Sequence, residues 1–117
     1  MKITEGAEKI MGLIVAGGSQ AANREIQGGY ASDLLSDVMA HSNEGDIWVT
    51  LQKHVNILAV AQLKGLAGIV LVNGRKPDEA TAARAEQEQI PIISTELSAF
   101  DVAGILYCLG IRGGRSA

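Results

Sequence analysis

Cysteine is nearly missing from this chain. Cys108 stands alone, which excludes an internal disulfide and any metal site built on several cysteines. It lies in the apolar helical run Ile105-Leu106-Tyr107-Cys108-Leu109, a setting that predicts a buried structural thiol. Aromatic residues are also scarce, at 3% against 47% apolar residues, so the core must come from Ile, Leu, Val, Met and Ala. Basic clusters are lacking: ten Lys and Arg lie scattered against thirteen Asp and Glu, for a formal charge of −3. Without a basic stripe, nucleic-acid binding is disfavoured. The longest near-apolar stretch, Val55 to Val72, is broken by Asn56, Gln62, Lys64 and two glycines, so it does not read as a membrane span. The first ten residues, MKITEGAEKI, carry acids where a secretion signal needs an apolar run, and a cytoplasmic location is expected.

A length of 117 residues suits one domain with a single core. The surplus of aliphatic side chains exceeds what so small a domain covers by itself, so a homodimer is expected.

Periodicity supplies the elements. A first helix is predicted from Thr4 as N-cap to Met11, with Gly12 as its left-handed stop. Short strands follow at Leu13 to Ala16 and at Arg24 to Gln27, the latter running into Gly28-Gly29. Ser32 or Asp33 is placed to cap a helix whose apolar face is Leu34, Leu35, Val38 and Met39, with His41 in its last turn. From Asp46 the pattern is strand, helix, strand, helix, strand, helix. The strands are Ile47 to Leu51, rich in Val, Ile, Trp and Thr, and Gly68 to Val72 and Pro91 to Ser94, short apolar runs of the buried parallel kind. Residues 55–66 read as a buried helix, residues 78–89 as an exposed one entered through Pro77, and the last helix as one capped by Ser98 and stopped by Gly110. Residues 112–117 read as a frayed tail. Right-handed crossovers then give an α/β layered domain with a mainly parallel central sheet flanked by helices.

Three strand-to-helix turns should meet at one sheet edge, where open α/β folds bind ligands. The first holds Thr50, Gln52, Lys53, His54 and Asn56, of which Asn56 is also a natural helix cap. The second holds Asn73, Gly74, Arg75, Lys76 and Asp78. Its two cations beside a helix N-terminus suit a phosphate or carboxylate, or else serve as solvated loop charges. In the third, Ser94, Thr95, Glu96 and Ser98 join hydroxyls to a carboxylate that is positioned to pair with Arg75 or Lys76. The Gly28-Gly29-Tyr30 turn, with Ser32 and Asp33, is a candidate anion nest or a simple chain reversal.

Complete signatures are missing. No GxxxxGK[ST] phosphate loop, GxGxxG fingerprint or GxSxG elbow occurs, and His41 and His54 are thirteen residues apart, which is not a metal-ligand spacing. No cofactor is expected. His54 has no acidic neighbour in the sequence to orient it as a base.

The stretch Asn23-Arg24-Glu25-Ile26-Gln27-Gly28-Gly29-Tyr30-Ala31-Ser32-Asp33-Leu34-Leu35-Ser36-Asp37-Val38-Met39 resembles the DRTGG domain family, as do Val49-Thr50, His54-Val55-Asn56, Ala59-Val60-Ala61 and Ser94-Thr95-Glu96. The contiguous motif that names the family is absent, since three residues separate Asn23-Arg24 from Gly28-Gly29. The resemblance implies a small α/β domain similar to the non-catalytic N-terminal domain of HPr kinase/phosphorylase. Such domains accompany CBS pairs in regulated pyrophosphatases or precede phosphotransacetylase domains, as dimerising regulatory modules. Free-standing versions suggest a protein partner in redox or hydrogenase regulation. No kinase activity follows, because the phosphate loop belongs to the other domain of that enzyme.

The reading is therefore a homodimeric, non-catalytic regulatory module, with an adenine nucleotide or another small anion as candidate effector. Candidate contacts are Gly28, Gly29, Tyr30, Ser32, Asp33, Thr50, Lys53, His54, Asn56, Arg75, Lys76, Thr95 and Glu96. The alternative is a small enzyme using His54 and Glu96 as acid and base.

Overall fold

A computed structural model describes residues 1–114. Its elements are α1 (Ile3–Lys9), β1 (Gly12–Ala16), β2 (Gly28–Ala31), α2 (Leu35–His41), β3 (Asp46–Thr50), α3 (Asn56–Lys64), β4 (Gly68–Leu71), α4 (Glu79–Glu88), β5 (Ile92–Thr95) and α5 (Ala99–Cys108). They form one five-stranded sheet in the order β1-β5-β4-β3-β2, in which β2 to β5 are parallel and β1 runs antiparallel along β5.

The strand patterns explain this order. Every residue of β3, β4 and β5 is buried, as an inner parallel strand covered on both faces requires. Alternate side chains then feed two cores. Trp48, Ile69 and Ile92 pack with Val38, Ile57, Leu58 and Ala85 under α2, α3 and α4. Ile47, Val70 and Ile93 pack with Ile3, Ile10, Val102 and Leu106 under α1 and α5. Three successive crossovers of one hand, all advancing in one direction, place α2, α3 and α4 on a single face. After β5 the chain crosses to the opposite face. At the β1 edge, a register shift between Ile14 and Ala16 makes Val15 a bulge.

The N-terminal elements depart from expectation. Helix α1 begins at Ile3 rather than after a Thr4 cap, because the Ile3 and Thr4 N–H groups donate to the Arg24 and Ala22 carbonyls. Its left-handed exit is Met11 (φ 53°), not Gly12. Gly12 is needed in β1 instead, where a Cβ would lie 2.6 Å from Ile93 Cγ2. The Arg24 to Gln27 segment makes only an isolated Lys2–Glu25 bridge, and the strand begins at Gly28.

Three further expectations are corrected. Helix α3 buries Ile57, Leu58, Val60 and Ala61 but leaves Leu63 75% exposed, so it is not buried all round. Cys108 is exposed rather than buried, because α5 turns Val102 and Leu106 inward and that phase carries Cys108 outward. Arg112 is not frayed: its carbonyl accepts from Gly29 N at 3.1 Å, and its guanidinium lies 3.8 Å from the Tyr107 ring centre. Of the expected tail, residues 115–117 lie outside the described residues.

Candidate functional site

The parallel order of β3, β4 and β5 does bring their three following turns to one edge. Of these, the turns after β4 and β5 flank the place where successive connections leave for opposite faces, the position at which such sheets usually open a crevice. Here the crevice is stitched shut. Gly74 N donates to Thr95 O at 2.8 Å and Asn73 N to Leu97 O at 2.9 Å, while Ser94 Oγ donates to Arg75 O at 2.7 Å. Asn73 and Gly74 both take positive φ to make this turn. Glu96 closes over Gly74, where a Cβ would stand 2.8 Å from its Oε2. The expected ion pair between Glu96 and Arg75 or Lys76 does not form among the described residues, because the Glu96 carboxylate sits on the glycine and both cations project to solvent. Thr95 is buried and structural: its hydroxyl donates to Ile10 O at 2.8 Å and accepts from Leu97 N at 3.2 Å.

The turn after β3 is more open. His54 Nδ1 lies 2.6 Å from Asp78 Oδ2, and Lys53 Nζ lies 3.7 Å from Asp78 Oδ1. The hydrogen bond with His54, reinforced by the charges of His54 and Lys53, holds the Asp78 carboxyl below its usual range. The backbone fixes this cluster, since Asp78 N and Thr81 Oγ1 both donate to Lys53 O. Sequence reasoning gave His54 no acidic partner. Twenty-four residues separate it from Asp78, but β3 and β4 are adjacent, so their turns are neighbours. That adjacency was the available signal. Asn56 does not cap α3: it is the first helical residue, Val55 takes the cap position, and no side chain caps that end. Ser98, by contrast, caps α5 as expected, accepting from Asp101 N at 3.2 Å.

Residues 28–33 reach the same edge along β2. Gly28 and Gly29 are strand residues with negative φ, paired with Asp46 and Ile47, so they form neither a chain reversal nor an anion nest. Close packing accounts for Gly29, where a Cβ would meet Ile111 Cγ2 at 3.3 Å. Neither Ser32 nor Asp33 caps α2. Asp33 instead bridges to β3, accepting from Thr50 Oγ1 at 2.8 Å and Leu51 N at 2.7 Å, while its carbonyl accepts from Gln52 Nε2 at 2.9 Å. The Ser32 carbonyl accepts from the buried Trp48 indole at 2.8 Å. Tyr30 donates to Asp37 at 2.7 Å, which raises the phenol and lowers the carboxyl from their ordinary values.

The edge thus gathers two groups, Asp33 with Thr50 and Gln52, and Lys53 with His54 and Asp78, beside the exposed Arg75 and Lys76. It does not unite His54 with Glu96, whose turns follow β3 and β5 with β4 between them, about 10 Å apart at ordinary strand spacing. No nucleophile shares a hydrogen bond with His54 among the described residues. Nor is any group of three His, Cys, Asp or Glu there arranged to hold a metal ion. No described helix is long and apolar enough to cross a membrane.

A polar cavity of about 390 Å³ lies at the opposite, N-terminal edge of the strands, lined by Arg24, Glu25, Gln27, Glu44, Gln62 and Glu88. Sequence reasoning did not point there. Arg24 is engaged within it, donating to Leu66 O and Gln89 O. The cavity mixes one cation with several acids, which makes it a poor receptor for an anion.

No curated protein matches this sequence. Among solved structures, the chain is similar to the crystal structure of the CBS and DRTGG domains of the regulatory region of Clostridium perfringens pyrophosphatase, complexed with the activator diadenosine tetraphosphate. The TM-score is 0.66 at 10% identity, over 98% of this chain and 55% of that one, so the likeness is one of fold. The model of the DRTGG domain matches residues 5–108. That match spans nearly the whole chain, and the chain belongs to the DRTGG domain family.

Proposed function

We propose that this chain is a non-catalytic regulatory module that acts as a homodimer and receives a small anionic effector, such as an adenine nucleotide, at the turns after β3 and β4. One observation carries the reading: the fold is shared with a domain from a regulatory region that was crystallised with a dinucleotide activator. The edge chemistry supports it. Ser94, Thr95 and Asp33 spend their hydrogen bonds on holding turns in place, whereas Lys53, Arg75 and Lys76 leave cationic groups at the rim. An anion docking there meets turns held by hydrogen bonds and cationic side chains at the rim.

Thermal denaturation against a panel of mono- and dinucleotides tests this. At a hundredfold excess over Kd, a ligand of the native state adds about 2.7 kcal/mol, or about 10 °C for a domain of this size. The double variant Arg75→Ala, Lys76→Ala should lose the shift and keep the unliganded melting temperature. Absence of a shift across the panel refutes the effector reading. A shift unchanged in the double variant moves the site elsewhere.

A further inference from the structure

We infer that the outer face of α5 is a two-fold interface with a second copy of this chain, the two α5 helices crossing antiparallel at Gly104. The inference rests on the dimer reading above and adds the place and the geometry.

Helix α5 is apolar on both sides. Val102 and Leu106 are buried inward, yet Phe100 is 86% and Tyr107 58% exposed on the outside, and Asp101 is the one charged residue in the sequence AFDVAGILYC. A surface helix ordinarily turns a polar face to water, and one that is apolar all round belongs between two packed layers. Exposed Met11, with Leu97, Ile105 and Leu109, extends this face into an apolar groove of about 530 Å³. Covering these side chains in both copies removes about 1,000 Å² from water, which is the floor for a specific interface.

A second copy fits better than an unrelated partner because the face is its own complement. Phe100, Gly104 and Cys108 recur at four-residue steps and form one row along the helix. A two-fold axis at Gly104 sets Phe100 of one copy opposite Cys108 of the other, about 6 Å on either side of the axis, so that a large side chain meets a small one. At the axis a Cβ on Gly104 would meet nothing within 4 Å, leaving the backbone open to close approach. The groove's charges are Lys9 and Asp101, which cancel. Two copies therefore meet here without the net repulsion that the whole chain, at −3, carries.

Sedimentation velocity of the full chain, combined with cysteine cross-linking, tests the inference. The wild type should be a dimer, and Phe100→Glu should raise its dissociation constant at least ~30-fold without altering the far-UV circular dichroism. In a Cys108→Ser background, Gly104→Cys should form a covalent dimer on mild oxidation, since the axis brings the two new thiols within disulfide reach. Ser36→Cys, on exposed α2, should not. A dimer that keeps wild-type affinity in Phe100→Glu, or that fails to cross-link through Gly104→Cys, overturns this interface and leaves the dimer reading standing. A wild type that is monomeric at every concentration tested overturns both. A monomer whose binding of a hydrophobic dye is lost in Phe100→Glu assigns the groove to another occupant and equally refutes a second copy.

Discussion

Replacing Trp48 with Phe tests how β3 supports the turn edge. Trp48 is the one tryptophan in the chain, has no exposure, and sits on β3 between Tyr30 of β2 and Ile69 of β4. Its indole N–H donates to Ser32 O at 2.8 Å, tying the start of the Ser32-Asp33 segment to the core. Phe keeps the ring and most of the burial, so the cost divides into two parts. Losing the hydrogen bond costs about 1 kcal/mol. The smaller ring leaves roughly 40 Å³ unfilled, which at the usual cavity penalty adds about 1 kcal/mol. The sum is about 2 kcal/mol, or about 8 °C in melting temperature for a domain of this length. Urea unfolding followed by far-UV circular dichroism measures it without needing the indole. An unchanged m-value with a stability loss below about 0.5 kcal/mol would refute the claim that this bond and this packing anchor the edge.

Other perturbations separate structural from functional roles. Thr95→Val removes a buried hydroxyl that donates to Ile10 O and accepts from Leu97 N, and should cost about 1–3 kcal/mol in chemical denaturation; a neutral result would free Thr95 for a ligand role. Gly17→Ala should cost more than about 3 kcal/mol or prevent soluble expression, because φ is 71° and the new Cβ would lie 1.9 Å from Ile90 O; normal yield and stability would show that the loop relaxes easily. Asp37 and Asp78 are held below their ordinary value of 3.8, by the hydrogen bonds from Tyr30 and His54 respectively, so their stabilisation is present above that value and fades as pH falls through the lowered ones. Tyr30 is raised above 10.0 by its bond to Asp37, so its contribution is full below 10.0 and is lost as pH rises through the raised value. Asp37→Asn should make the acid limb shallower by the share of Asp37, leaving that of Asp78, and should remove the contribution of Tyr30 to the alkaline limb; a profile identical to wild type would show that the pair is not formed in solution.

Legibility in the sequence followed from how local each signal is. The alternation from Asp46 onward was readable because β3, β4 and β5 are buried on both faces and their apolar runs have no other use. The Ser98 cap was readable because its partner, Asp101 N, is three residues away. Where a local rule failed, a distant group had taken its place. Thr4 lost its cap to the carbonyls of Arg24 and Ala22, and Asp33 left α2 for Thr50 and Leu51. Cys108 misled because the run around it is apolar on both helix faces, so periodicity could not say which face the sheet would take. The pairing of His54 with Asp78 likewise required knowing that β3 and β4 are neighbours.

By itself the sequence determined what composition and short-range pattern control. A single cysteine, few aromatics and no basic stripe bounded the chemistry, strand and helix periods set a mainly parallel α/β domain, and the motifs around Gly28 to Met39 carried the resemblance to the DRTGG family that the match over residues 5–108 shows. Those properties depend on each residue and its near neighbours along the chain. Only the tertiary structure decided which polar residues at the edge are already engaged, that the crevice between the turns after β4 and β5 is stitched shut, and that an apolar helix face is left uncovered. Hydrogen-bond satisfaction and burial are properties of pairs brought together from distant segments, and strand order alone says which segments meet.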